Sequence, residues 1–298
     1  MIKCADLITP LLNIALDELR ELPMIQCDET RIRVLKRSGK KKLGNSYMWV
    51  LMGTRKDGSQ IIYYELGPSR AHTVPLKLLE GYTGYLHTDG YEAYETLVSK
   101  LPGVILIGDW VHVRRRFDEA VKANSKSQRL IKAAKGLEQI NALFKIEREI
   151  ADLSDSEKFD IRQEKSKPIV ENFKKWLDET NSTVPPKSLT GKAISYALNQ
   201  WPKLSYFLND PILRLDTNPV ENAIRPFVIG RKNWLFSDTE KGARASSALY
   251  SLICMAKSHG HNPFEYLKEV FTLLPKAKSL EDIEALLPWN YSKPETPV

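Results

Sequence analysis

Residues 47–66 read YMWVLMGTRKDGSQIIYYEL. Two runs rich in aliphatic and aromatic side chains, 47–55 and 60–66, flank a short polar segment that contains Asp57 and Gly58. An Asp-Gly pair adopts the backbone angles of a tight turn, and between two such runs it favours a β-hairpin. The sequence therefore predicts a pair of antiparallel strands here.

Further apolar runs lie on both sides of the hairpin. One comes before it, MIQCDE at 24–29, and two come after it, GYLHTDG at 84–90 and VILIGDW at 104–110. Helical patterns at 73–80 and 91–100 precede the two later runs. The order strand, hairpin, helix, strand, helix, strand predicts an α/β fold in which helices pack on the faces of a mixed sheet.

The chain divides by composition into five segments. We predict an N-terminal amphipathic helix at 1–22, the first part of the core at 23–117, an all-helical insertion at 118–215, helices that complete the core at 216–275 and a tail at 276–298. Lys40, Lys41 and Lys42 are expected in a solvated loop, and residues 292–298 are expected to fray.

The composition excludes several classes of protein. The 298 residues contain 44 Lys and Arg against 37 Asp and Glu, which gives a net charge of +7. No run approaches the roughly 18 apolar residues of a membrane span. The three cysteines are scattered, so we expect no disulfide framework, no zinc site and a cytoplasmic location. The basic balance permits nucleic-acid binding but fits a basic soluble enzyme equally well.

Three acids stand out by position, because Asp28 closes the first apolar run, Asp89 closes the fourth and Glu221 opens a helix after the insertion. Carboxylates that converge at a sheet edge suit Mg²⁺, and two such ions about 3.5–4 Å apart support in-line displacement at a phosphate. Each acid also has a plainer interpretation. Asp89 precedes a glycine and fits a turn, Asp28 fits an ordinary strand end, and Glu221 fits a helix-capping position.

A long block at 216–267 resembles the catalytic-helix segment of the insertion-sequence-66 family of bacterial transposases. The block reads DTNPVENAIRPFVIGRKNWLFSDTEKGARASSALYSLICMAKSHGHNPFEYL. Three shorter blocks match that family in the same order: QCDET at 26–30, HTDGYEAYETL at 87–97 and GDWVHVRRRF at 108–117. The resemblance covers nearly the whole chain.

That family belongs to the DDE transposases, so the resemblance implies a ribonuclease H-like core and a Mg²⁺-dependent polynucleotidyl transferase. Asp28, Asp89 and Glu221 would be both the catalytic residues and the ligands of Mg²⁺, for which Mn²⁺ substitutes. The implied partner is double-stranded DNA, at transposon ends and target, with the protein acting as a homo-oligomer at the bacterial nucleoid. Two alternatives stay open: a ribonuclease H-like nuclease without strand transfer, and a truncated DNA-binding remnant without catalysis.

The chain departs from the family pattern in two ways. Family members usually carry a longer N-terminal region with a helix-turn-helix and a zinc-finger-like segment, so we expect a fragment, a truncated reading frame or one part of a split system. The family block usually reads Gly-Cys-Trp-Ala-His, where this chain has an aspartate at the second position, Asp109, and His112 at the last. Asp109 is either a fourth acid of the site or a structural substitution, and we favour the structural role.

Basic and aromatic residues around these blocks are candidates for DNA contact, because guanidinium groups grip phosphates and rings stack on bases. They are His112, Arg114, Arg115, Arg225, Arg231, Lys232 and Trp234. Plainer roles compete: an ion pair of Arg225 with Glu221 one helical turn away, core packing for Trp234 and Phe236, and a structural hydrogen bond for His112.

Overall fold

The computed structural model describes residues 1–36, 45–123 and 129–292. The strands are β1 (Met24–Lys36), β2 (Asn45–Thr54), β3 (Gln60–Gly67), β4 (Gly84–His87), β5 (Val104–Ile107) and β6 (Ser237–Thr239). The helices are α1 (Ile2–Leu7), α2 (Thr9–Arg20), α3 (Thr73–Leu78), α4 (Ala93–Val98), α5 (Trp110–Ala123), α6 (Arg129–Glu149), α7 (Asp155–Ile161), α8 (Lys167–Asn181), α9 (Leu189–Leu204), α10 (Asn218–Trp234), α11 (Glu240–Ser258), α12 (Pro263–Leu273) and α13 (Leu280–Glu284).

The strands form a mixed sheet in the order β3-β2-β1-β4-β5, and β6 pairs with β1. The β1–β2 and β2–β3 pairs are antiparallel, whereas β6 runs parallel to β1. At the turn between β2 and β3, the Arg55 amide donates to the Ser59 carbonyl over 2.8 Å, and the Ser59 amide donates to Asp57 Oδ1 over 2.9 Å. The predicted hairpin and the predicted α/β class are confirmed.

The chain forms two compact units. The first comprises Met1–Leu86, Ala93–Ile105 and Asn218–Val298, and the second comprises His87–Glu92 and Leu106–Thr217. In the first unit, α11 packs on β3, where the Ser251 hydroxyl accepts from the Tyr64 amide over 2.8 Å.

The second unit is mainly helical. Its core holds a cluster of buried aromatic rings, in which Trp110 and Phe117 of α5 pack against Phe173 of α8 at centroid distances of 5.9 Å each. The described residues from Gly108 to Thr217 contain helices and turns but no strand. The domain boundaries predicted from the sequence stay a prediction.

A buried arginine organises the end of this helical unit. Arg162 begins a π-helical turn (Arg162–Ser166), is 3% exposed, and donates to both carboxylate oxygens of Glu147 over 2.9 and 2.6 Å. It also donates to the carbonyls of Phe207, Asp210 and Leu213. Because a buried guanidinium is costly unless its donors are satisfied, this network holds the irregular segment after α9 against the helices.

Two details of the sequence prediction are wrong. The segment 1–22 forms two helices, α1 and α2, because Pro10 lies in the first turn of α2 and its ring disfavours a continuous helix. The first strand does not end at Asp28: β1 continues to Lys36, with Asp28 opposite Val50 in the middle of its pairing with β2.

Other predictions fall outside the described residues. These are the loop with Lys40, Lys41 and Lys42 and, apart from Ser292, the fraying end of the tail. Within the described ranges, no helix is both long enough and apolar enough to cross a bilayer.

Gly84, at the start of β4, is a position where the requirement for glycine can be tested. Its φ is +143°, and a Cβ atom there would lie 2.7 Å from the Pro23 carbonyl oxygen. We expect Gly84→Ala to lower the free energy of unfolding by about 3 kcal/mol, because it adds a clash to backbone strain. Gly81 is the matched control, since its φ is +78° and no described atom lies within 4 Å of the added carbon.

Gly81→Ala should therefore cost only the backbone term, about 1 kcal/mol. Urea unfolding followed by circular dichroism measures both values. Equal losses in the two variants would show that the close approach at Pro23 contributes nothing.

Candidate functional site

Strand β1 carries two adjacent acids, which the alternation of the strand directs to opposite faces. The Glu29 side chain is 1% exposed and is held by the Arg70 guanidinium and by the Tyr94 hydroxyl, which donates to Oε2 over 2.6 Å. Glu29 is thus the buried acid of a structural ion pair with Arg70. Asp28 is half-buried on the other face, where its Oδ1 accepts from the Glu29 amide over 2.8 Å.

Helix α10 contacts the face of β1 that carries Asp28. At the start of the helix, the Val220 amide donates to Gln26 Oε1 over 3.2 Å. Near its end, Arg231 donates to Thr30 Oγ1 over 2.9 Å and also to the Arg31 carbonyl. Asp28 lies between these two anchor points along the strand, since residues 26, 28 and 30 share one face.

Glu221 follows Val220 in the first turn of α10 and is half-buried. The Gln26–Val220 hydrogen bond therefore fixes the turn that carries Glu221 against the face of β1 that carries Asp28. The first unit thus anchors the backbone of the turn that carries Glu221 on the face of the sheet that also carries Asp28.

The third acid belongs to the second unit. Asp89 comes two residues after β4, and its Oδ1 accepts from the Tyr91 amide over 2.9 Å. This bond closes an Asx turn, as the plainer interpretation of Asp89 requires. The turn also fixes the carboxylate, so the local geometry is compatible with a ligand role as well.

Asp109 is the most deeply buried acid of the second unit, with its side chain fully enclosed. It accepts from the Val111 amide over 2.6 Å at the start of α5 and from the Thr217 hydroxyl over 2.7 Å. His112 Nδ1 lies 2.7 Å from Oδ2, the same oxygen that accepts from Thr217, whereas the Val111 amide donates to Oδ1. Asp109 therefore caps a helix, tethers the end of the helical segment and orients a histidine, which agrees with the structural role favoured from the sequence.

The surroundings of Asp109, His112 and His87 shift the pKa values of all three side chains. The hydrogen bond to Asp109 raises the pKa of His112, against the opposing effect of burial. Burial acts to raise the pKa of Asp109, but the hydrogen bond and charge of His112 outweigh it, and the pKa is lowered. Burial lowers the pKa of His87 to about 4, so its ring is neutral near pH 7 and Nε2 donates to the Gly108 carbonyl over 3.1 Å.

The basic candidates on α5 differ in their surroundings. Arg114 donates to Asn141 Oδ1 over 2.7 Å and lies over the Phe144 ring, so α6 holds its side chain. Arg115 is exposed and forms no hydrogen bond or ion pair with the described residues. Arg115 is therefore the freer of the two for contact with a ligand.

The candidates on α10 also separate. Arg225 and Lys232 are exposed, and within the described residues no ion pair joins Arg225 to Glu221. Trp234 packs edge-on against Phe227 at a centroid distance of 5.3 Å, whereas Phe236 is 43% exposed. The structure thus gives Trp234 a packing contact, and DNA contact by any of these residues stays a prediction.

Sequence reasoning missed several residues that build these surroundings. Gln26 and Thr217 lie inside blocks that the resemblance covers, but only the tertiary hydrogen bonds distinguish them from their neighbours. Tyr196 of α9 lies against the Asp89 turn, where a Cβ atom at Gly90 would overlap its hydroxyl. No local pattern marks Tyr196, because it approaches from a helix about 100 residues further along the chain.

Comparison with known proteins identifies the family. The profile described as "Transposase IS66 family" matches residues 1–245, and the profile "IS66 C-terminal element" matches residues 251–289. The chain belongs to the IS66 family of transposases.

Curated relatives from Sinorhizobium fredii are similar over nearly all of this chain. "Uncharacterized protein y4qI" is 30% identical over 94% of the chain and 53% of its own length. "Uncharacterized protein y4jD" is 29% identical over 95% of the chain and 56% of its own length. The chain thus spans about half the length of these relatives. No solved structure matches it significantly.

The Asp109–His112 pair gives a pH-dependent prediction. Because Asp109 raises the pKa of His112, the pair stabilises the fold at pH values below that pKa, and the stabilisation is lost as pH rises through it. At the acid end it is lost as pH falls through the lowered pKa of Asp109. We expect Asp109→Asn to lower the pKa of His112 and to cost about 1–3 kcal/mol of stability near pH 6.

Thr217→Val is the matched control, since it removes one hydrogen bond to Asp109 but leaves the charge beside His112. It should cost about 1 kcal/mol and leave the pKa of His112 unchanged. NMR titration of the histidine ring protons, with urea unfolding, measures both quantities. An unchanged His112 titration in Asp109→Asn contradicts the electrostatic role of the pair.

Proposed function

We propose that this chain is the catalytic region of a DNA transposase, a Mg²⁺-dependent polynucleotidyl transferase with a ribonuclease H-like core. The observation that carries the proposal is the IS66 family match, which extends over residues 1–245 and 251–289. The mixed sheet with flanking helices is the fold class that such a core requires.

The proposed metal ligands are Asp28, Asp89 and Glu221. In the first unit, Asp28 and the first turn of α10 share one face of β1, and in the second unit Asp89 lies in an Asx turn. Neither Asp89 nor Glu221 forms an ion pair with a lysine or arginine within the described ranges. Half-buried carboxylates such as these two, without a lysine or arginine partner in the described residues, are suited to a hard divalent cation.

Each carboxylate is held in place by the chain itself. The central strand fixes Asp28, an Asx turn fixes Asp89, and the Gln26–Val220 hydrogen bond fixes the turn with Glu221. Bound Mg²⁺ supplies activation of the attacking hydroxyl group and stabilisation of the leaving oxygen.

In the proposed reaction, water attacks a phosphodiester at the transposon end and releases a 3′-hydroxyl, which then attacks a phosphodiester of target DNA. Each step breaks one P–O bond and forms another. The exposed side chains of Arg115, Arg225 and Lys232 are proposed to bind the DNA backbone, and the protein is proposed to act as a homo-oligomer on paired ends.

Metal binding is the first test, and Mn²⁺ is the probe. Calorimetry on the wild-type chain should show Mn²⁺ binding that Asp28→Asn, Asp89→Asn and Glu221→Gln each weaken or abolish. Asp178→Asn is the matched control, because Asp178 is an exposed carboxylate paired with Lys174 on α8 and should not affect binding. Absence of Mn²⁺ binding in the wild type, even with DNA present, supports the non-catalytic remnant instead.

Strand transfer tests the reaction itself. On a linear donor with exposed 3′-hydroxyl ends, we expect Asp89→Asn to lower joining by at least about a hundredfold, since the transition-state charge is left unscreened. Thermal unfolding should change little, because asparagine keeps an Oδ1 that accepts from the Tyr91 amide and so preserves the Asx turn. Joining at the wild-type level by Asp89→Asn would contradict the assignment of Asp89 as a metal ligand. Metal-dependent cleavage without joining by the wild type would identify a nuclease.

A further inference from the structure

A stacked arginine–tyrosine pair lies beside Asp89 in the second unit. The guanidinium carbon of Arg116 on α5 is 4.0 Å from the ring centroid of Tyr196 on α9. The Tyr196 hydroxyl lies at the turn formed by Asp89 and Gly90, so close that a Cβ atom at Gly90 would overlap it. Only glycine at position 90 allows the phenol this approach, and the pair therefore borders the Asp89 carboxylate.

The two side chains present donors of different kinds. The phenol of Tyr196 offers an O–H donor at the Asp89 turn, and a side-chain hydrogen bond joins it to Arg116. Arg116 is permanently charged, and its guanidinium carries five N–H donors, of which the hydrogen bond to Tyr196 occupies only part.

Arg116 has no carboxylate partner in an ion pair among the residues that the structure describes. Arg116 is exposed and forms no ion pair within the described residues, and stacking on Tyr196 restricts where its guanidinium lies. Arg114, on the same helix, differs in that Asn141 accepts its hydrogen bond. An oriented arginine without an anionic partner, next to a neutral phenol, is a recognition element for a phosphate group.

Stacking of a nucleic-acid base is the alternative use of an exposed aromatic ring. Here the guanidinium already covers one face of the Tyr196 ring, and the residue is only partly exposed. Base stacking on the covered face would require Arg116 to leave. The arrangement thus favours the phosphate over the base.

We propose that Arg116 and Tyr196 bind a phosphate of the DNA strand held at Asp89, and so position that strand for reaction. This assignment rests on the proposed function, because it takes DNA as the ligand. It adds two substrate-binding residues, of which Tyr196 comes from the helical segment between the blocks that resemble the family.

The salt dependence of DNA binding tests the charged partner. Fluorescence anisotropy with a labelled mixed-sequence duplex, in the presence of Mn²⁺, should show that Arg116→Gln weakens binding about tenfold. The slope of log K against log salt should fall by about 0.9, the value for one lost phosphate contact. Lys122→Gln is the matched control, since Lys122 lies on the same helix and pairs with Asp118.

Lys122→Gln should bind within about twofold of the wild type and with an unchanged slope. An Arg116→Gln variant that behaves like this control overturns the proposal. Tyr196→Phe keeps the ring and removes the hydroxyl, so it should weaken binding about threefold without changing the slope. Unchanged affinity in Tyr196→Phe removes Tyr196 from the assignment.

Failure of this proposal and failure of the proposed function are distinguishable. If DNA binding depends on Arg116 but the wild type neither cleaves nor joins DNA with Mn²⁺, the phosphate site stands and the transposase chemistry fails. If Arg116→Gln joins DNA at the wild-type rate and with wild-type affinity, the phosphate site fails and the chemistry stands. Calorimetry should show that Arg116→Gln binds Mn²⁺ at least as tightly as the wild type, so that a loss of DNA affinity cannot come from a lost metal ion.

Discussion

Strand β1 has two faces that must be covered by different parts of the chain, and this requirement organises the first unit. On one face, the buried carboxylate of Glu29 needs Arg70 and Tyr94 to offset its desolvation. On the other face, α10 is bound at both ends to the strand, through Gln26 and Thr30. Because both faces are fixed, Asp28 has one defined orientation relative to the helix that carries Glu221.

Asp109 has a comparable role in the second unit. One buried carboxylate caps α5, accepts a hydrogen bond from Thr217 and orients His112. A cysteine, which the resemblance to the family implies at this position, would be a weak hydrogen-bond acceptor and could not serve three donors in this way. The aspartate therefore fixes the loop between β5 and α5 through three hydrogen bonds, and it raises the pKa of the neighbouring His112.

The sequence predicted the features that depend on local chemistry. The Asp57-Gly58 turn and the two runs beside it were sufficient for the β2–β3 hairpin. The predicted end of β1 was wrong because the apolar run that indicated the strand stops at the two acids, whereas the strand itself continues with Arg31 and Arg33 alternating with buried Ile32 and Val34. The residue pattern alone did not show which of Asp28 and Glu29 is buried in an ion pair and which lies on the face covered by α10. Tyr196 was missed because its contacts come from tertiary packing alone.

The Gln26–Val220 hydrogen bond joins residues 194 positions apart in the chain. During translation, β1 leaves the ribosome long before α10 is synthesised. The strand face that carries Asp28 therefore stays exposed while the helical segment between them is made. Long-range contacts of this kind form late and leave apolar surface open to chaperones or to aggregation. Under the proposed function the delay also has a protective effect. A nascent chain that has not reached Glu221 lacks one of the three carboxylates, so it cannot cut DNA.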